Sequence, residues 1–291
     1  MSCATLSQEA LQARLLEIEL PITKYAKQVF KSMMQHALRR REGQILVVVG
    51  LPGTGKTHLT KQLYELAKAL CAGLTGERRQ LMVGLETVLT LGDLARQIAT
   101  EIGNPVTMHR IIYKTAKDLS IEVFEDLKAL GVRVIFLDEA HCIALAADPT
   151  SKQSVMMASW LKKLTNHGIS IVFLGLPELR DKMAPYRELE SRMYRKLPLV
   201  TTGLMAGTDE ERAATLLFLD QVEKAYGVDA AVPFSDPRIV VPMVGAMGGN
   251  LRDIMRLIST AVGDSGQLNE PQVNIESFRT AAGLCGFPWK S

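Results

Sequence analysis

The stretch Gly50-Leu51-Pro52-Gly53-Thr54-Gly55-Lys56-Thr57 places a lysine and a hydroxyl directly behind a glycine-rich turn. It matches G-x-x-x-x-G-K-[ST] in full, between an apolar run and an amphipathic segment. Glycines let backbone N–H groups turn inward around a phosphate, and a helix starting at the lysine adds the positive end of its dipole. In such a cradle Lys56 reaches the β- and γ-phosphates, and the Thr57 hydroxyl can ligate Mg²⁺. His58, next along, joins the candidate nucleotide-contacting set. About 80 residues later, "VRVIFLDEAH" ends an apolar run in Asp138 and Glu139. Asp138 suits the Mg²⁺ shell, and Glu139 suits the base that orients and deprotonates water. The chemistry these residues suit is hydrolysis of ATP with Mg²⁺.

The elements needed to position them can be read from periodicity. "QILVVV" (44–49), "QLMVGL" (80–85), "VRVIFL" (132–137), "ISIVFLG" (169–175) and "RKLPLV" (195–200) read as strands. Helical patterns lie over 5–19, 22–40, 91–102, 109–130 and 151–167, and after the glycine loop Leu59, Leu63, Leu66 and Leu70 fall at helical spacing on one face. The alternation predicts an α/β three-layer sandwich with a five-stranded parallel sheet. Beyond Gly203 only helices are expected, over 208–226, 236–246, 249–262 and 273–284. The predicted organisation is a helical preface (1–42), an α/β core (43–203), a small all-α lid (204–285) and a tail (286–291).

Composition sets outer limits. The 291 residues are 47% hydrophobic and 22% charged, enough for sizeable cores. No apolar run is long enough to span a membrane, and the first residues lack the basic start of a secretory signal. Cys3, Cys71, Cys142 and Cys285 are scattered, which suggests neither a zinc site nor a disulfide framework. A cytoplasmic protein with reduced thiols is expected. The net charge of +3 is uneven: residues 1–200 hold 27 Lys/Arg against 20 Asp/Glu, and residues 201–291 hold 7 against 11. Only the first part could attract a polyanion.

Beyond the nucleotide loop, the chain resembles the AAA+ ATPases. The resemblance implies an arginine that reaches the γ-phosphate of a neighbouring subunit. "ELESRMYRKLPL" (188–199) offers Arg192 first and Arg195 in reserve. It also implies a lid arginine reading the nucleotide in cis, and "GGNLRDIMRLI" (248–258) offers Arg252, in a helix capped by Asn250 or Gly249. One position departs from the family. The tip of the fourth strand reads Gly175-Leu176-Pro177 where a polar side chain usually helps position water, so slow or switch-like hydrolysis is expected. Asp138-Glu139-Ala140-His141 also spells a helicase box, but the accompanying S-A-T and Q-x-x-G-R-x-G-R signatures do not occur.

The order and spacing of "PITKYAKQVFKSMMQHALRRREGQILVVVG", "ALGVRVIFLDEAHCIAL", "HGISIVFLGLPELRD" and "LESRMYRKLPL" are similar to the transposition regulators of the TniB, TnsC and MuB type. That resemblance implies an ATP-bound ring or filament on double-stranded DNA that recruits a transposase, possession of a TniQ-like adaptor as partner, and hydrolysis that dissolves the assembly. A helicase loader of the DnaC or IstB kind, an ExeA-like ATPase and a nucleotide-gated scaffold are the alternatives. Thr107, His109, Arg110, Lys114 and Lys117 form a segment without acidic residues that could grip DNA phosphates, or simply a solvated helix face. Arg39, Arg40 and Arg41 are a second basic patch, also explained by a helix C-terminus. Phe287 and Trp289 lie on a tail that either docks a partner or packs on the lid.

Overall fold

A computed structural model describes residues 8–20, 22–74, 79–86, 90–103, 115–143, 150–205, 207–228, 230–267 and 272–289. Five strands, β1 (Ile45–Gly50), β2 (Gln80–Gly84), β3 (Val134–Asp138), β4 (Ser170–Gly175) and β5 (Leu199–Thr201), form one parallel sheet in the order β2-β3-β4-β1-β5. β1 and β4 are buried at every position. Their unbroken β-branched and apolar runs are what a strand covered on both faces requires.

The helices before Thr201 are α1 (Gln8–Glu17), α2 (Thr23–Arg40), α3 (Lys56–Leu70), α4 (Leu91–Ile102), α5 (Ala116–Ala129), α6 (Lys152–Asn166), α7 (Glu178–Met183) and α8 (Arg187–Glu190). After it come α9 (Asp209–Tyr226), α10 (Pro237–Met247), α11 (Leu251–Gln267) and α12 (Ile275–Cys285). Ile45, Val47 and Val49 face a core with Leu94, Ile98, Val123, Leu127, Leu161 and Leu164 from α4, α5 and α6. The alternate residue Phe136 packs the other way, its ring 5.7 Å from Phe30 of α2 and 5.8 Å from Tyr64 of α3. The period of two thus separates two helical layers across the sheet.

The chain divides into two compact units, one of Met1–Lys24, Leu51–Leu59 and Thr201–Ser291, the other of Tyr25–Gly50 and Thr60–Val200. The helical preface is shared between them, since α1 belongs with the carboxyl-terminal helices and α2 with the sheet. In the first unit α9–α12 gather around Phe218, Phe234, Met243, Leu257 and Phe278, with Phe234 and Phe278 edge to face at 5.2 Å. Phe287 and Trp289 pack on this cluster, which decides for the lid-packing alternative.

Three expectations need correction. The fifth strand is shorter than 195–200: β5 starts at Leu199, after Pro198, whose missing N–H cannot join a ladder. Helices α7 and α8, between β4 and β5, were not expected, because each is too short to show a helical period. α11 runs on to Gln267, past the expected end at 262. The early part of the helix expected over 109–130 lies outside the described residues; α5 itself opens at Ala116, with Thr115 as N-cap.

Candidate nucleotide site

β1 delivers the chain to the carboxyl edge of the sheet, and the glycine loop follows at once. Gly53 (φ 77°) and Gly55 (φ 91°) take left-handed conformations that side chains resist. Both are also needed for space. A Cβ on Gly53 would run into the Asn250 side chain, and one on Gly55 would lie 2.6 Å from Leu20 Cδ1 and 2.9 Å from Leu251 Cδ1. The loop is tied down by three partners inside its own unit. Leu251 N donates to Gly53 O at 2.8 Å, Thr54 Oγ1 pairs with Thr201 Oγ1 at 2.7 Å, and a His58 ring nitrogen meets Ile18 O at 2.8 Å.

Lys56 is buried, and its ammonium donates to Leu51 O at 2.9 Å, so the cation is held against the loop backbone. Thr57 is exposed in the first turn of α3, a turn that carries no acidic side chain. Two left-handed glycines, a buried ammonium and a helix N-terminus free of carboxylates make an anion cradle. A nucleotide triphosphate suits this donor set, and the exposed Thr57 hydroxyl is of the type that can ligate Mg²⁺.

Asp138 ends β3 at the same sheet edge as Gly50, and β4 runs between those two strands. Asp138 Oδ1 accepts from Glu139 N at 2.9 Å. Glu139 itself is left-handed (φ 53°, ψ 35°), and Arg41 is the one other non-glycine residue with positive φ among the described residues. Such a conformation is held at a cost, and it turns the chain sharply after the strand. A 3₁₀ turn over Ala140–Cys142 follows, which brings His141 Nδ1 to 3.3 Å from Glu139 Oε2. The Glu139 side chain is about half exposed.

Arg192 is pinned at the far end of β1. Its carbonyl accepts from Ile45 N at 2.8 Å, Tyr194 N donates to Ile45 O at 2.8 Å, and its Nη1 meets Glu42 Oε2 at 3.0 Å. Ile45 and Gly50 bound a strand that rises about 17 Å at about 3.4 Å per residue. Arg195 lies over the Tyr25 ring, 5.2 Å from its centroid. Arg252 is exposed in the first turn of α11, where Asn250 Oδ1 caps the helix by accepting from Arg252 N at 3.0 Å. The structure therefore brings Leu51, Pro52, Gly53, Thr54, Gly55, Lys56, Thr57, His58 and Asn250 together, and Asp138 with Glu139, while Arg192 stands apart at the opposite sheet edge. Sequence reasoning missed Ile18, Leu20 and Thr201, which touch the loop from far along the chain, and Glu42, 150 residues from its partner.

Of the candidate DNA residues, Thr107, His109, Arg110 and Lys114 lie outside the described residues, and Lys117 is exposed in the first turn of α5. Thr115 is occupied as the α5 cap, accepting from Asp118 N at 3.2 Å. Arg39, Arg40 and Arg41 are exposed at the end of α2. The described residues hold no cluster of three metal-ligating side chains, and no helix among them is long and apolar enough to cross a membrane.

Similar folds are found among solved structures. The ORC2 protein of Aeropyrum pernix in ADPNP and ADP complexes matches with a TM-score of 0.67 at 14% identity, over 94% of this chain and 71% of that one. The ORC1 protein of the same organism in complex with DNA matches at 0.66 and 18% identity, over 94% and 68%. Domain III of the Thermotoga maritima replication initiation protein DnaA matches at 0.56 and 14% identity, over 96% and 97%. At such identities the likeness is one of fold. No curated protein matches in sequence. A family model described as an AAA domain matches residues 38–183, half of the chain. With that match, and with the sheet order and the phosphate loop in place, the chain belongs to the AAA domain family.

Proposed function

We propose that the protein is an ATP-hydrolysing assembly factor that oligomerises on double-stranded DNA and regulates transposition. The observation that carries the ATPase reading is the glycine cradle around a buried Lys56; separately, the sharply turned Asp138-Glu139 at the carboxyl end of β3 offers a candidate base. Lys56 and the loop N–H groups would bind the phosphates, Thr57 and Asp138 are the residues that would hold Mg²⁺, and Glu139 would orient and deprotonate water. Mg²⁺ supplies charge neutralisation on the phosphates when bound. Arg252, on the helix whose first N–H groups are capped by Asn250, reads the nucleotide in cis.

Arg192 supports the oligomer. Its backbone is fastened to the amino end of β1, about 17 Å of strand away from the point where the loop begins. A guanidinium held there serves a nucleotide bound by another copy, where it offsets charge developing on the phosphoryl group. Solved structures of similar fold include proteins bound to DNA. That supports duplex DNA as partner, with the basic residues Arg110, Lys114 and Lys117 as its contacts. The transposition role, with a transposase and a TniQ-like adaptor as clients, rests on motif order and spacing. One observation favours a second reading, a nucleotide-gated scaffold: the β4 tip offers no polar side chain at Gly175, Leu176 or Pro177.

Particle images of the purified protein with duplex and a slowly hydrolysed ATP analogue test the proposal. Rings or filaments that need both ligands are expected. Solitary particles under all conditions contradict it.

A further inference from the structure

The apolar β4 tip leaves the question of what holds the Glu139 carboxylate. Gly175 cannot be replaced by a polar residue without disturbance, because a Cβ there would lie 3.0 Å from His141 N and 3.1 Å from Leu179 Cδ2. The tip is therefore packed directly under the turn that follows β3. That turn brings its own polar group to Glu139.

Cys142 N donates to Glu139 O at 2.9 Å, which closes the 3₁₀ turn and places the His141 ring beside the Glu139 side chain. His141 Nδ1 is shielded from solvent and has no well-aligned hydrogen bond, and Glu139 Oε2 stands 3.3 Å from it. His141 Nε2 lies 3.8 Å from Cys142 Sγ. A thiol donating to Nε2 leaves the proton on Nδ1, the nitrogen that faces the carboxylate. The His141 backbone is clamped from two sides: Gly175 lies against its nitrogen, and Lys182 Nζ, from α7, donates to its carbonyl at 2.5 Å.

We propose that His141 is the positioning residue for Glu139, and that Lys182 anchors His141. Once the half-exposed Glu139 side chain turns to align with it, the Nδ1–H donates to one carboxylate oxygen and holds that side chain in a single orientation, leaving the other oxygen to accept a proton from water. Histidine in this turn takes the place of a polar side chain at the β4 tip. The inference rests on the reading of Glu139 as the base.

The test measures ATP turnover of the full-length protein with duplex DNA, with kcat and KM separated. His141→Ala is expected to lower kcat about ten-fold, the size of effect one well-placed hydrogen bond produces, with KM and ATP-dependent assembly unchanged. His141→Asn, whose amide N–H can stand where Nδ1–H stood, is expected to recover most of the rate, and Lys182→Met to fall between the two. Wild-type turnover in His141→Ala, or equal loss in His141→Ala and His141→Asn, overturns the proposal. A second readout needs no turnover. In ¹⁵N-histidine-labelled protein the His141 signals should show a proton on Nδ1 and should shift in Glu139→Gln; a proton on Nε2, or signals indifferent to that change, overturns it. Unchanged turnover in Glu139→Gln would instead remove the base assignment beneath it.

Discussion

Lys56 is buried, and its ammonium donates to the Leu51 carbonyl, at the loop where the triphosphate of the proposed nucleotide would sit. Lys56→Ala should abolish ATP binding measured by titration calorimetry, while the circular dichroism spectrum stays as in the wild type. Glu42 gives a second residue-scale prediction. The Glu42–Arg192 pair is partly exposed and adds little to stability, on the order of 1 kcal/mol or less. Its effect is orientation. Glu42→Ala should leave the melting temperature within a few degrees of wild type and lower turnover of the assembled protein several-fold; a wild-type rate would show that Arg192 needs no holding. Cys71 provides a control. Burial raises its thiol pKa, opposed by Arg133 and Arg79. A raised thiol pKa means the folded state binds the proton more tightly, so this contribution to stability is present at neutral pH and fades as pH rises through the folded value. Cys71 should resist alkylation near pH 8 until the protein is unfolded.

At the scale of elements, stability is set by caps and close backbone approaches. Thr90 and Asp93 cap α4 reciprocally: Thr90 Oγ1 accepts from Asp93 N at 3.2 Å, and Asp93 Oδ2 accepts from Thr90 N at 2.9 Å. Thr90→Ala should cost about 1 kcal/mol in urea unfolding without affecting nucleotide binding. Gly203 differs in kind. Its φ is 75°, and a Cβ there would strike the Gly249 carbonyl, on the approach to the helix that carries Arg252. Gly203→Ala should lower both the melting temperature and ATP affinity. The strand–helix alternation was legible because buried parallel strands are continuous apolar runs, and the capped helix α4 fell where its period placed it, at Leu91–Ile102. Short pieces were not legible. α7 and α8 complete fewer than two turns each, and β5 is three residues held by its neighbour more than by its own pattern.

For the whole molecule, the place of the glycine loop after β1 and of Asp138-Glu139 at the end of β3 could be read in advance because each lies within one contiguous stretch. The supports of the site could not. Thr201 meets Thr54 across 147 residues and Glu42 meets Arg192 across 150, and no local pattern announces such partners. The His141 contact was readable in principle, two residues from Glu139, yet it depends on a left-handed backbone that sequence alone does not reveal. If the basic segment that runs into the first turn of α5 grips duplex DNA, replacing Arg110, Lys114 and Lys117 by Ala should reduce the salt slope of binding by up to about three counter-ions. An unchanged slope would move the contact elsewhere.

The central claim is that Arg192 serves a nucleotide held by a neighbouring copy, and mixing two inactive variants tests it most directly. Lys56→Ala cannot bind ATP but still presents Arg192; Arg192→Ala binds ATP but lacks the guanidinium. Each alone should be nearly inactive with duplex DNA present, and their mixture should regain a substantial fraction of wild-type turnover. A mixture as inactive as its components would contradict the account.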